Sequence, residues 1–172
     1  QALPHVLQVC PEILYLVIGE THPEVRKREG EEYRGFLLDL VESLGLKKNV
    51  RFMNRFLPEN ELINYLQATD VYIVPYPNRE QISSGTLAYA LGTGKAIVTT
   101  PFLHAEEAIS NGAALECKFK DPNSIAECVN TLLKDDQIQQ RYSRMAYEYS
   151  RAMIWPNVAM SYVNVFCTAL GL

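Results

Sequence analysis

The sequence predicts an α/β protein: a doubly wound parallel sheet with helices on both faces. Two observations carry this expectation. Short strand-like runs alternate with segments of helical periodicity along the chain. The runs are continuously apolar and not alternating, as in strands buried on both faces. A length of 172 residues fits one domain over 1–172, with enough chain to bury a core.

The elements follow in order. "ILYLVIG" (13–19) reads as a buried strand ending in Gly. The alternating-charge stretch "EVRKREGEEYR" (24–34) reads as a solvated loop leading into a helix, not a membrane patch. Tyr33, Phe36, Leu37, Leu40, Val41 and Leu44 then recur at helical spacing and make one apolar face, ended by Gly45. "NVRFMN" is the next strand. A helix starts near 58–60, with Leu62, Ile63 and Leu66 inward. "VYIVPY" and "AIVTT" are strands, separated by an Ala/Leu-rich helix. A short helix near Glu106 and a strand near "AALEC" follow. Asp121-Pro122-Asn123-Ser124 is a helix-start signal. Two or three helices close the chain, broken at Trp155-Pro156.

Composition excludes several functions. A net charge of −4 argues against a nucleic-acid surface, which needs a basic stripe. No apolar run reaches the roughly 18 residues of a membrane span, and no signal-peptide pattern opens the sequence. The expected compartment is the cytoplasm. None of the four cysteines sits in a Cys-x-x-Cys pair, so buried reduced thiols are expected. The three histidines are scattered and suggest no metal site.

In parallel α/β sheets, ligands bind beyond the carboxyl ends of the strands. The loop 77–84 leaves "VYIVPY" there and enters a helix through Ser83, Ser84, Gly85 and Thr86. A helix N-terminus offers unpaired N–H groups and the positive end of a dipole. With Ser and Thr hydroxyls and an open Gly, it suits an anionic phosphate. The same residues also fit a plain Ser N-cap. Glu80, in the same loop, fits either a sugar-hydroxyl contact or a solvated side chain. "GTGK" (92–95) follows a helix and not a strand, so it is a C-cap and turn, not a P-loop. Without Gly-x-Gly-x-x-Gly, a nicotinamide-dependent dehydrogenase has no fingerprint.

The order of pieces resembles the C-terminal, nucleotide-sugar-binding half of GT-B-fold glycosyltransferases, in the large retaining family 4. "LGLKKNVRFMNRF" is similar to that family's "lgl-x-x-V-x-F-x-G" segment. "ELINYLQATDVYIVPY" is similar to its "el-x-x-y-x-x-adv-x-v-x-P", and "AYALGTGKAIVTTP" to its "EAmA-x-G-x-PVv-x-T". "FKDPNSIAECVNTLLKD" and "IWPNVAMSYVNVF" resemble its closing helices.

The resemblance implies a Rossmann-like donor domain that binds a nucleotide-diphosphate sugar, UDP or GDP among the candidates. Transfer would be metal-independent, need no cofactor and retain the anomeric configuration. In the family's Glu-x7-Glu hallmark, the first Glu contacts the donor sugar and the second the ribose. Here those positions fall on Gln81 and Tyr89, with Glu80 one residue from the first. The resemblance therefore implies Glu80 as the catalytic carboxylate, with Gln81 and Tyr89 in the donor site. The helix start at Ser83, Ser84, Gly85 and Thr86 would cradle the diphosphate. Gly19 would let backbone approach the ligand, and the base would lie near Asn54, Arg55 and Phe56. For Phe56 a core position is the favoured alternative. Leu103-His104 stand where a Gly-Gly pair usually follows, with Glu107 at that loop's Glu position.

The family's first strand and basic loop precede the point where this pattern begins. The implied consequences are an acceptor-binding N-terminal domain outside this chain, an inactive isolated chain, and strand edges open to self-association. A peripheral membrane position of the full-length enzyme fits the same resemblance. The altered hallmark supports the alternative of a non-catalytic, Rossmann-like nucleotide-binding or interaction module.

Overall fold

The computed structural model describes residues 1–171. The chain divides into two compact units, Gln1–Leu62 and a second that begins at Ile63.

In the first unit, α1 (Leu3–Leu7) leads into β1 (Tyr15–Ile18), α2 (Pro23–Glu29), α3 (Glu32–Ser43) and β2 (Val50–Met53). The strands are parallel, Tyr15 opposite Val50 through Ile18 opposite Met53. Asn49 ties the two strand starts together: its amide Nδ2 donates to the carbonyls of Pro11 at 3.2 Å and Ile13 at 3.0 Å.

Two expectations are corrected here. The charged stretch was expected to be a loop, yet Pro23–Glu29 is a helix. Pro23 occupies the first turn, His22 Nδ1 accepts the Glu24 N–H, and Arg26, Lys27 and Arg28 lie at the negative end of the dipole. The apolar face of α3 is only partly inward. Leu37, Leu40 and Val41 are half-buried, while Tyr33, Phe36 and Leu44 are exposed. A two-stranded ladder is too narrow to cover a helix of that length, and Tyr33 and Phe36 stack on each other instead, centroids 6.3 Å apart.

A helix across the division, α4 (Glu59–Gln67), buries Leu66 and half-buries Leu62 and Ile63. The second unit then runs β3 (Val71–Val74), α5 (Gly85–Gly92), β4 (Ala96–Thr99), α6 (Leu103–Ser110), β5 (Leu115–Glu116), α7 (Pro122–Lys134) and α8 (Asp136–Ser150). A 3-10 turn and α9 (Trp155–Leu170) close it. Its parallel strands lie in the order β3-β4-β5, Val71 opposite Ala96 and Val98 opposite Leu115.

All four residues of the central β4 are buried, which accounts for the apolar run 96–98; the fourth, Thr99, donates its hydroxyl to the Val74 carbonyl at 3.2 Å. Leu87, Ala90 and Leu91 of α5, Ala105 and Ala108 of α6, Val129 and Leu132 of α7 and Ala146 of α8 complete this core. Asp121 caps α7 as expected, its Oδ1 accepting the N–H groups of Asn123 and Ser124 at 3.0 Å each.

Of the cysteines, only Cys117 is buried, and burial pushes its thiol up to about 12. Cys10, Cys128 and Cys167 are half-buried, so the expectation of buried thiols holds for one of the four. All four are free thiols.

The turn after α5 is tight for a physical reason. Gly94 sits at φ +65°, and a Cβ there would come within 3.2 Å of Tyr147 Cβ and 3.4 Å of the Ser143 carbonyl, both on α8. Gly94→Ala should therefore lose about 1–2 kcal/mol from the left-handed backbone alone, plus the crowding against α8. A denaturant titration checks this. A loss below a few tenths would mean that α8 yields without strain.

Candidate functional site

The carboxyl ends of β3 and β4 each release a loop into a helix, and the two loops are stitched together. The first, 75–84, leads into α5. The second, 100–102, leads into α6. Thr100 Oγ1 donates to the Tyr76 carbonyl at 2.8 Å. The fully buried Phe102 ring meets Tyr76 edge-on, centroids 4.8 Å apart at 83°. Arg79 pairs with Glu106 at 2.7 Å. The start of α6 has no side-chain cap. Its Leu103 and His104 N–H groups donate instead to the Arg79 and Gln81 carbonyls, at 3.0 and 3.3 Å.

At the centre lies Ser84, the N-cap of α5, only 4% exposed. Its Oγ accepts the Leu87 N–H at 3.2 Å, while its own N–H donates to His104 Nδ1 at 2.7 Å. The Thr86 hydroxyl lies 3.2 Å and the Tyr76 hydroxyl 3.4 Å from Ser84 Oγ. Thr86 also bonds the Tyr72 hydroxyl on β3. Burial raises the Tyr72 pKa, and the Thr86 bond works against that shift.

The sequence left an N-cap and an anion cradle as alternatives for this run, and the cap is present. With Ser84 and Leu87 satisfied, the Gly85 and Thr86 N–H groups have no hydrogen-bond partner among the described residues. Gly85 and Thr86 are both exposed, and a Cβ at Gly85 would meet nothing within 4 Å. Tyr89, one turn on, shares the exposed face of α5 with them, opposite the buried Leu87, Ala90 and Leu91.

Glu80 is exposed and makes no hydrogen bond or ion pair among the described residues. Gln81 is occupied: its side-chain amide donates to the Ser83 carbonyl at 2.6 Å and its own carbonyl takes the His104 N–H. Ser83 is exposed beside it. Glu107, at the Glu position of the second loop, hydrogen-bonds Tyr149 of α8, whose hydroxyl pKa rises chiefly through burial and also through that carboxylate.

The remaining expected residues lie in the first unit. Gly19 follows β1 at φ +127°, a conformation that suits glycine, with open space where a Cβ would stand. Its carbonyl accepts Arg34 at 3.0 Å. Arg34 and Thr21 both bond Glu31. The Thr21 bond, aided by Arg34 and Arg26, holds the Glu31 carboxyl below the ordinary range. Arg55 pairs with Glu61 at 2.6 Å. Phe56 is 78% exposed, which corrects the favoured core position: it sits in a surface loop between β2 and α4, with no apolar layer above it.

Four residues of this site go beyond the sequence expectation: His104, Tyr72, Tyr76 and Phe102. His104 carries one signal, as a substitute for glycine; the apolar strand or loop context of the others carries none.

Residues 1–149 match the family described as glycosyl transferases group 1. The chain belongs to that family. It is 31% identical over 95% of its length to the D-inositol 3-phosphate glycosyltransferase of Corynebacterium urealyticum, and 30% identical over 81% to that of Corynebacterium efficiens. It spans 39% and 31% of those two proteins, so about a third of the curated relatives. Among solved structures, HepE from Anabaena in complex with UDP and glucose is similar over 99% of this chain and 44% of its own. The TM-score is 0.78 at 17% identity. The C-terminal domain of the glycosyl transferase LpcC from Francisella tularensis is similar over 86% of this chain and 72% of its own, TM-score 0.71 at 21% identity. At these identities the likeness concerns the fold, which is that of GT-B glycosyltransferases. In this glycosyltransferase domain, as in the expectation, the strands are parallel and helices lie on both faces. No described helix is long and apolar enough to cross a membrane.

Proposed function

We propose that this domain binds the diphosphate of a nucleotide sugar at the start of α5. One observation carries the proposal: the backbone N–H groups of the exposed Gly85 and Thr86 have no partner among the described residues at the positive end of a helix. A fixed loop holds them at the carboxyl ends of parallel strands. The solved neighbour HepE carries UDP and UDP-glucose in its complexes, which supports a nucleoside diphosphate as the ligand class.

The proposed reaction is hexosyl transfer with retention, without metal or cofactor, of the family 4 type. The bond between the anomeric carbon and the diphosphate breaks, and a bond to an acceptor hydroxyl forms on the same face. Negative charge grows on the departing diphosphate, where oriented N–H groups stabilise it without reorganising. Glu80, unpaired at the loop, is the carboxylate for the donor sugar. Tyr89 takes the ribose side. The proposed role of this chain is the donor half, with acceptor binding and full activity residing in a larger enzyme.

Calorimetric titration with UDP, GDP and ADP tests the proposal. Saturable binding of at least one is expected. Silence with all three would favour a non-catalytic module, which the altered Glu-x7-Glu already allows.

Gly85→Val gives a sharper expectation. The position has an ordinary φ and empty space around its Cβ, so valine is tolerated by the fold. Its branched side chain stands beside the Gly85 and Thr86 N–H groups. Nucleotide affinity should drop tenfold or more, about 1.4 kcal/mol, in a protein of native-like melting temperature. Unchanged affinity in the folded variant would move the anion elsewhere.

A further inference from the structure

We propose that His104 is a positioning residue for this anion site, acting through Ser84; the inference rests on the diphosphate proposal above. His104 brackets the last turn of the loop. Its backbone N–H donates to the Gln81 carbonyl at 3.3 Å, and its ring Nδ1 accepts the Ser84 N–H at 2.7 Å. One residue of α6 thus fixes both ends of the segment 81–84, directly before the Gly85 and Thr86 N–H groups. Because Nδ1 accepts, the ring proton sits on Nε2.

The choice of side chain has a chemical reason. A helix start needs its N–H groups satisfied, and Asp would serve as acceptor. Here that would place a full negative charge beside the groups offered to a diphosphate. A neutral imidazole nitrogen satisfies the Ser84 N–H and adds no repulsion. It also leaves Gly85 and Thr86 as the donors that face the anion. A site ordered before the ligand arrives binds more tightly than one ordered by it.

Three variants of the full chain, titrated with UDP, GDP and ADP, test this. His104→Asn offers its Oδ1 near the place of Nδ1 and should bind the preferred nucleotide within about twofold of the parent. His104→Ala removes the acceptor and should bind about tenfold more weakly. His104→Asp restores an acceptor but adds charge, and should be no better than the Ala variant. Exchange of the Ser84 amide, followed by NMR, should be slow in the parent and in the Asn and Asp variants and fast in the Ala variant. Parent-like binding by the Ala variant, or an Asn variant no better than Ala, would overturn the role of His104. If the Ala variant does not fold, the Asn–Asp pair decides, and equal affinities overturn it. A parent that binds none of the three nucleotides, with its Ser84 amide protected, removes the diphosphate proposal itself and this role with it.

Discussion

Phe102→Ala should lower the stability of the protein by about 3–5 kcal/mol, the range for emptying a buried aromatic site. Phe102 is fully buried and its ring meets Tyr76 edge-on. It precedes α6, so the vacated space opens between the two loops and not at the periphery of the core. Refilling would require both loops to shift, and both are held by hydrogen bonds across the seam. Phe102→Leu, which keeps most of the volume, should cost much less. Urea titration of both variants measures the difference. A loss under about 1 kcal/mol for the Ala variant would show that the seam collapses freely. The Tyr76 hydroxyl stands 3.4 Å from Ser84 Oγ, so the Ala variant should also weaken nucleotide binding. That makes Phe102 a residue on which fold and proposed function both depend.

Glu80→Gln should reduce sugar transfer by roughly a hundredfold, the order of loss when one preorganised electrostatic contact is removed. Binding of the free nucleoside diphosphate should stay within about twofold, because the proposed contact is to the sugar. Turnover and nucleotide affinity, measured on an enzyme preparation that transfers sugar, separate the two. Gln81 serves as the internal comparison. Its amide is spent on the Ser83 carbonyl, so Gln81→Ala should act through the loop and weaken nucleotide binding too. A larger loss of turnover in Gln81→Ala than in Glu80→Gln would transfer the sugar contact to Gln81.

Local signals were legible because the interactions behind them are local. The Asp121 cap, the break at Trp155-Pro156 and the start of α5 each depend on residues no more than three positions apart. The helix Pro23–Glu29 carried such signals as well, Pro23 in its first turn and basic residues in its last. Its lack of an apolar stripe hid it, since no residue of that helix is buried. Phe56 misled in the opposite direction: an aromatic beside a strand suggests core, but burial depends on what lies above the loop.

The class of fold, the parallel character of the strands and the placing of a small polar helix start after β3 are all legible in the chain's local pattern. Apolar runs, periodicity and capping residues suffice for these, because each reports on its own segment. Which N–H groups at that start find a partner depends on packing between distant segments. Ser84 and His104 are 20 positions apart. They meet because β3 and β4 are parallel neighbours whose carboxyl ends release both loops on the same side. The same crossing puts Phe102 against Tyr76 and caps α6 with the carbonyls of Arg79 and Gln81. No spacing rule reaches across a strand and a helix: which side chain satisfies which backbone group is fixed only when the strands pair.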